Sequence, residues 1–166
     1  MSAQNNDGQQ GALIGLGSNI EPEKNLLKAF ELLADRTQIK RSSSIWQTKA
    51  VGSSGPDYLN AAVLIATELP LEKLRGDILS RIETELGRVR SADKYMDRTI
   101  DLDVLIFNGK HIDPELWTQA HIAVPAAQIL PDLFNHQTGD DLRTTASRLL
   151  ADMALTERVD LTWPAL

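Results

Sequence analysis

Residues 97–107 read Asp97-Arg98-Thr99-Ile100-Asp101-Leu102-Asp103-Val104-Leu105-Ile106-Phe107 and predict a strand with two carboxylates among its apolar residues. Alternate residues of a strand share a face, so Asp101 and Asp103 should point one way. The apolar residues that should point the other way are Ile100, Leu102, Val104 and Ile106. With Cα atoms roughly 6.5–7 Å apart, the two carboxylates could hold one metal ion or bridge two. A bound Mg²⁺ ion would offset the repulsion between the two carboxylates. The alternative is an edge strand that simply exposes its polar face to water, which would show the same alternation of polar and apolar residues.

The composition limits the classes of protein to which the chain can belong. It has 166 residues, a net charge of −6 and no cysteine. This length predicts a single domain, residues 11–166, after a polar and disordered tail, residues 1–10. The acidic balance argues against nucleic-acid binding, and no apolar run is long enough for a membrane span. The lack of cysteine excludes disulfides, thiolate metal sites and a cysteine nucleophile, and we expect a cytoplasmic protein.

Hydrophobic periodicity predicts two successive strand–helix–strand units, the second of which ends in the strand that carries the carboxylates. The predicted elements before that strand are a strand over 12–19, a helix over 22–36, strands over 38–48 and 58–67, and a helix over 70–86. The order βαββαβ is typical of a ferredoxin-like α+β sandwich, with both helices on one face of an antiparallel sheet and the site on the other. After Asn108-Gly109 we expect a short extended piece that leads into residues 124–131, and then an additional C-terminal helix over about 140–153.

Positive charge is concentrated just before the carboxylate strand, at Arg88, Arg90, Lys94 and Arg98. Arg88 and Arg90 could merely complement the C-terminus of the preceding helix. That explanation does not reach Lys94 and Arg98, which lie beyond its last turn. Cations beside an acidic metal site are what phosphoryl transfer requires, because they neutralise the polyphosphate.

Two further features concern a second ligand. Tyr58 and Asn60 should share one face of their strand, where they could read a flat heterocycle by stacking and hydrogen bonding or could simply cap the end of the sheet. The preceding segment, 49–57, is rich in Gly and Ser and is either a mobile lid or an ordinary connection.

These residues resemble the 6-hydroxymethyl-7,8-dihydropterin pyrophosphokinases of folate biosynthesis. The resemblance rests on four blocks in the same order as in that family. They are Gly15-Leu16-Gly17-Ser18-Asn19, Pro56-Asp57-Tyr58-Leu59-Asn60-Ala61-Ala62, Gly87-Arg88-Val89-Arg90 and Asp97-Arg98-Thr99-Ile100-Asp101-Leu102-Asp103. The family fold is also ferredoxin-like, in agreement with the predicted order of elements.

The resemblance implies an enzyme that moves diphosphate from ATP to the hydroxymethyl oxygen of a pterin and releases AMP. Its partners are then two small molecules, ATP and the pterin, with no nucleic acid and no membrane. The implied site residues, by role, are Asp101 and Asp103 for two Mg²⁺ ions, with Arg98, Asp101 and Asp103 as the catalytic set; Arg98, Arg90, Arg88 and Glu83 for ATP; and Tyr58, Asn60 and Thr48 for the pterin.

One segment departs from the family pattern. Residues 110–123 are short and lack the Pro-His pair and the Arg-x-Phe that family members use to contact ATP and the pterin. Gln119 stands at the position of the Arg, and His121 stands at that of the Phe, where it would cover the second face of the pterin. Lys110, His111 or His121 could substitute for the missing contacts. Three hypotheses therefore stay open: a pyrophosphokinase with altered nucleotide contacts, a relative that acts on another heterocyclic alcohol, or a non-catalytic binding homologue.

Overall fold

A computed structural model describes residues 9–49, 55–89 and 97–166. The first half of the fold consists of β1 (Gln10–Ser18), α1 (Pro22–Arg36), β2 (Gln38–Ser42), β3 (Trp46–Thr48) and β4 (Tyr58–Thr67). A second helix follows as three consecutive pieces: α2 (Leu71–Lys73), a π-helical segment (Leu74–Leu79) and α3 (Ser80–Glu85). The remaining elements are β5 (Asp101–Phe107), β6 (Lys110–His111), a 3₁₀ turn (Pro114–Trp117), α4 (Ala120–Ile129), β7 (Phe134–Asn135), β8 (Asp140–Asp141), α5 (Leu142–Asp152) and β9 (Thr156–Glu157).

The main sheet has the order β6-β5-β1-β4-β3-β9, with β2 also paired to β4, and every pairing is antiparallel. The four principal strands therefore run in the order β5-β1-β4-β2/β3, which is the ferredoxin-like arrangement. The predicted α+β class is confirmed. The strand predicted over 38–48 is divided into two, because residues 43–45 leave the ladder while Ser43 still bonds to Ala62 of β4.

The sheet is covered on both faces. One apolar cluster joins α1 and the second helix to residues such as Ile14, Val63 and Leu102 of the sheet. The other cluster joins α4 and α5 to Leu13 and Leu105. Both predicted helices lie on one face, as expected, but the opposite face is not left wholly to the site, because α4 and α5 cover part of it.

The short extended piece expected after Asn108-Gly109 is present as β6, but helix α4 begins at Ala120 and covers most of residues 124–131, where no helix was predicted. Pro125 lies inside this helix and removes one backbone donor, which is why the sequence disfavoured a helix here. Six of its ten residues are nevertheless buried, Ala123 and Ala126 completely, against the sheet and α5. Burial on the second face of the sheet therefore outweighs the local cost of the proline.

Strand β5 also differs from strict alternation. The pairing of β1 with β5 shifts register between Leu13 and Ile14, so that Leu13 opposes Ile106 and Ile14 opposes Val104. Leu105 is the extra residue of this bulge, and Ile106 consequently joins the second apolar cluster instead of packing with Leu102 and Val104. The prediction that Ile106 shares their face was wrong, since a bulge reverses the sidedness of every residue beyond it.

The predicted disordered tail, 1–10, falls mostly outside the described residues, and β1 begins at Gln10. Within the ranges that the structure describes, no helix has the length and apolar character needed to cross a membrane.

Candidate active site

A cleft of about 960 Å³ is lined by the sheet, by the second helix and by the segment that leads into α4. Because the second helix lies on the same face of the sheet as α1, the cleft is not confined to the opposite face, where the sequence placed it. Nine of the described residues proposed from the sequence line this cleft: Thr48, Tyr58, Asn60, Glu83, Arg88, Arg98, Asp101, Asp103 and His121. Arg90 and Lys94 lie outside the described residues. The structure therefore brings four separate parts of the sequence into one cavity.

Glycines of β1 form the floor of the cleft. Gly17 opposes Asp101 on one side and Asn60 on the other, while Gly15 opposes Asp103. Side chains directly opposite in an antiparallel pair share a face, so a side chain at Gly17 would lie between Asp101 and Asn60. A Cβ on Gly17 would lie 3.2 Å from Oδ1 of Asn60, which is tighter than an ordinary contact, whereas a Cβ on Gly15 would lie 3.3 Å from the side chain of Leu105. Gly17 thus keeps the floor clear between β4 and β5, and Gly15 leaves room for Leu105.

The end of β1 also holds the basic segment in place. Asn19 accepts a hydrogen bond from the backbone N–H of Arg98 at 2.7 Å and donates through Nδ2 to Asp97 at 2.9 Å. Ser18 donates through Oγ to the carbonyl oxygen of Thr99 at 2.5 Å. The Gly-Ser-Asn block is therefore a clamp on residues 97–99, a role that its sequence alone did not reveal.

Asp101 lies between two guanidinium groups. Arg98 Nη1 donates to its Oδ2 at 2.6 Å, and Arg88 Nη1 donates to its Oδ1 at 3.0 Å. Arg88 also forms an ion pair with Glu83, whose Oε2 accepts from the backbone N–H of Leu102 at 3.1 Å. Glu83 is only 4 % exposed, so it links α3 to β5 and fixes Arg88 at the edge of the cleft. Replacing one member would leave a poorly solvated charge without its partner.

Asp103 has a different environment, although it lies two residues further along the same face. Reduced hydration in the cleft raises the pKa of Asp103 to about 7, and the neighbouring Asp101, Asp113 and Glu83 act in the same direction. Arg88 opposes the shift but is the smallest contributor. Without a cation beside it, this carboxyl therefore holds a proton near neutral pH.

The opposite end of the cleft carries hydrogen-bonding groups without partners. Thr48 Oγ1, Asn60 Nδ2 and His121 Nδ1 are buried and make no hydrogen bond to the described residues. Burial raises the pKa of the Tyr58 hydroxyl and lowers the pKa of His121, so both side chains are neutral near pH 7. Buried polar atoms are normally paired, and their convergence on an open cavity indicates a ligand with complementary donors and acceptors.

The short segment 110–123 contributes differently from what its sequence suggested. Lys110 and His111 lie on exposed β6 and do not line the cleft, and the His111 ring stacks on Trp117 with centroids 5.5 Å apart. His121 does line the cleft, from the first turn of α4. It is the only one of the three proposed substitutes that reaches the cavity.

Several cleft residues were not predicted. They include Lys49, Arg75, Leu79, Ser80, Asp113, Glu115, Gln119 and Ile122. For Gln119 the sequence suggested only that it stands at the position of a family arginine. Asp113 and Glu115 lie just after β6, at the start of the 3₁₀ turn, and the course of the chain through this turn brings them to the cleft. The spacing of apolar residues in the sequence does not indicate such positions, because the conformation of a loop places them at the cleft.

The donor set fits Mg²⁺ held partly by a substrate. Among residues 9–49, 55–89 and 97–166, no group of three or more His, Cys, Asp or Glu is placed to hold a metal ion. Asp101 and Asp103 are two carboxylates on a rigid strand, and Mg²⁺ is commonly bound by one or two carboxylates together with substrate phosphates and water. The protein therefore supplies what such an ion requires only when a phosphate is also present.

Comparison with known proteins places this geometry in context. The sequence model of the 7,8-dihydro-6-hydroxymethylpterin-pyrophosphokinase family matches residues 13–134. A Synechocystis protein named 2-amino-4-hydroxy-6-hydroxymethyldihydropteridine pyrophosphokinase is 31% identical over 167 residues, covering 93% of this chain and 80% of its own. Proteins of the same name from Haemophilus influenzae and Bacillus subtilis are 40% and 37% identical, covering 74% and 71% of this chain and 82% and 77% of theirs.

Solved structures agree on the fold. An HPPK-DHPS protein in complex with substrates has a TM-score of 0.65 at 14% identity, over 87% of this chain and 44% of that one. The wild-type Plasmodium falciparum HPPK-DHPS with pteroate has a TM-score of 0.64 at 12% identity, over 91% and 44%. This chain thus spans less than half the length of these structures, and at such identities the likeness concerns the fold alone.

Proposed function

Because the chain belongs to the 7,8-dihydro-6-hydroxymethylpterin-pyrophosphokinase family, we propose that it transfers diphosphate from ATP to the hydroxymethyl group of 6-hydroxymethyl-7,8-dihydropterin in folate biosynthesis. The pterin oxygen forms a bond to the β-phosphorus while the bond from this phosphorus to the α,β-bridging oxygen breaks. AMP leaves with that oxygen, and the hydroxyl proton is released. The observation that supports this reaction is one cleft with paired carboxylates and arginines at one end and unpaired hydrogen-bonding groups at the other.

The pterin would occupy the end of the cleft that Thr48, Tyr58, Asn60 and His121 line. Tyr58 offers an aromatic face, and Asn60 offers the unpaired Nδ2 to an acceptor on the edge of the heterocycle. His121 would cover the opposite face of the ring. A neutral imidazole is smaller than a phenyl ring, so it supplies less apolar burial but adds one hydrogen-bonding atom.

ATP would occupy the other end, with its phosphates towards Arg88 and Arg98 and with Arg90, outside the described residues, as a third cation. Glu83 would act through Arg88, which it holds. Asp101 and Asp103 would bind Mg²⁺, two ions in our proposal, and the chemistry that Mg²⁺ supplies when bound is neutralisation of phosphate oxygens. Arg98 now pairs with Asp101, so a phosphate must compete for Arg98 while a cation takes its place on the carboxylate.

In-line transfer of diphosphate is governed by position and charge. Gly17 lies between Asn60 and Asp101, and the lack of a side chain there would let the two substrates meet, which would convert an encounter of two molecules into a reaction within one complex. Arg98 and Arg88 face the end where charge accumulates on the leaving AMP. We also propose a cytoplasmic location, where both substrates of a folate pathway would be available.

A second candidate is a homologue that binds pterin without transferring diphosphate. It is favoured by the acidic character of segment 113–119, which aims Asp113 and Glu115 at the cleft and contributes no cation. On either hypothesis nucleotide binding should be weak. The catalytic hypothesis therefore predicts AMP formation that saturates only at high concentrations of ATP.

One incubation separates the candidates. Protein, Mg-ATP at millimolar concentration and 6-hydroxymethyl-7,8-dihydropterin should give AMP, not ADP, together with the pterin diphosphate. Asp101→Asn and Asp103→Asn should abolish this turnover, whereas Asp152→Asn, an exposed change of the same kind on α5, should leave it unchanged. Pterin binding by calorimetry without AMP release would favour the binding protein, and full activity of either cleft mutant would overturn the metal assignment.

A further inference from the structure

The cations and anions that line the cleft do not balance evenly. Among the residues that the structure describes, the cleft is lined by five carboxylates, Glu83, Asp101, Asp103, Asp113 and Glu115, and by four cationic side chains, Lys49, Arg75, Arg88 and Arg98. Arg88 and Arg98 already form ion pairs with Glu83 or Asp101. Arg75 and Lys49 make no ion pair with any residue of the described ranges. Of the cleft cations in the described part of the chain, these two can meet an anionic ligand without first giving up a carboxylate.

The position of Arg75 depends on an unusual helical turn. The backbone N–H of Ser80 donates to the carbonyl oxygen of Arg75, five residues earlier, which is the π-helical pattern that spans Leu74–Leu79. In a regular α-helix of 3.6 residues per turn, Arg75 would lie about 80° around the axis from Glu83. The wider π turn removes much of that rotation, and Arg75, Leu79 and Glu83 all line the cleft.

The π-helical turn has features that are typical of a functional site. Single π turns are rare and occur frequently at functional sites. Arg75 is exposed at the cleft, so its guanidinium is available to a ligand.

We propose that Arg75 is a nucleotide-binding residue of this protein, which contacts the phosphates of ATP from the π-helical turn. This inference rests on the proposed function, in that it takes ATP as the anion that enters the cleft. Arg75 lines the same cleft as Asp113 and Glu115 and adds a positive charge to it. Because it is exposed and makes no ion pair within the described ranges, it contributes to ground-state and transition-state binding alike.

The test compares Arg75→Gln with wild type by calorimetric titration of Mg-bound α,β-methylene ATP, which cannot be cleaved. A charge-assisted contact at an exposed position predicts about 10-fold weaker binding, with pterin affinity unchanged. Arg75→Lys should recover part of the loss, and raising the salt concentration should reduce the difference between variants. In turnover, KM for ATP should rise by a similar factor while kcat stays close to wild type.

The matched control is Arg81→Gln, which removes the same charge from the same helix at an exposed position outside the cleft lining. It should leave nucleotide affinity unchanged. Equal nucleotide affinity in wild type and Arg75→Gln, in a protein that does form AMP, would overturn the role of Arg75 and leave the proposed function standing. Wild-type protein that binds the nucleotide analogue but forms no AMP would overturn the proposed function, while the calorimetric comparison would still decide on Arg75.

Discussion

Asp101 and Asp103 show how two identical residues on one face of a strand acquire different properties. Asp101 accepts hydrogen bonds from Arg88 and Arg98, which stabilise its charge. Asp103 lacks an ion pair with the described residues, and its charge is disfavoured first by reduced hydration and then by the neighbouring carboxylates. A divalent cation would act mainly on Asp103, because it would supply the favourable interaction that the charged form of this carboxyl now lacks.

The raised pKa of Asp103 predicts a pH dependence of stability in the metal-free protein. The folded state holds this proton up to about pH 7, whereas an unfolded chain releases it near the ordinary value of 3.8. The contribution of Asp103 to the free energy of unfolding is therefore full below about pH 4 and is lost as pH rises through 7. Asp103→Asn should flatten this part of the profile.

The test measures the melting temperatures of wild type and of Asp103→Asn between pH 5 and 8 in the presence of a chelator. The difference between the two melting temperatures is then followed as a function of pH. Because Mg²⁺ must displace the proton, wild-type affinity for the ion in the presence of nucleotide should also fall as pH drops below 7. Parallel stability profiles for the two proteins would contradict the assignment.

At the scale of the element, the second helix has glycines in two unlike positions. Gly76 lies in the π-helical segment with no positive φ, whereas Gly87 ends the helix at φ +82°. Neither has an atom within 4 Å of the place where a Cβ would lie, so the two positions differ in backbone conformation and not in space.

Gly76→Ala should raise the free energy of unfolding by about 0.5–1 kcal/mol, because alanine restricts the unfolded chain and favours helix. Gly87→Ala should lower it by about 1–2 kcal/mol, since a side chain disfavours the left-handed region. Urea unfolding of the two variants checks both signs. A loss of stability in Gly76→Ala would mean that the π turn itself requires glycine.

At the scale of the whole molecule, the last residues of the chain brace the edge of the sheet that carries Thr48. Strand β9 pairs with β3, and Arg158 joins Glu23 of α1 to Gln47 of β3 at 2.9 and 3.1 Å. Trp163 stacks on Phe30 with centroids 4.6 Å apart and donates to the carbonyl oxygen of Ser43 at 2.7 Å. The edge of the cleft at Thr48 thus depends on contacts that residues 156–163 make with α1, Ser43 and β3.

Trp163→Ala should lower the free energy of unfolding by about 2–3 kcal/mol, somewhat less than a fully buried tryptophan would, because the ring is only partly covered. Trp163→Phe should cost only about 1 kcal/mol, since it keeps the ring against Phe30 and loses one hydrogen bond. Equilibrium unfolding in urea distinguishes the two. Equal losses would show that the hydrogen bond to Ser43, and not the ring, holds the C-terminal segment.

The sequence by itself determined the order of elements and pointed to most of the residues that we propose for the site. The spacing of apolar residues within a short segment shows which of its faces is buried. The βαββαβ order, and the opposite faces occupied by Asp101 and Leu102, could therefore be predicted without a structure. The Arg-Thr-x-Asp-Leu-Asp block and its three companions identified the other site residues, of which those described all line one cleft.

Only the tertiary structure decided which faces are covered and where local periods break. Helix α4 forms despite Pro125 because a second face of the sheet buries it, and the bulge at Leu105 turns Ile106 to that face. Arg75 reaches the cleft only through the π turn, and Asp101 and Asp103 differ because residues distant in sequence surround them. Each of these outcomes depends on contacts between separate segments, which a local pattern does not record.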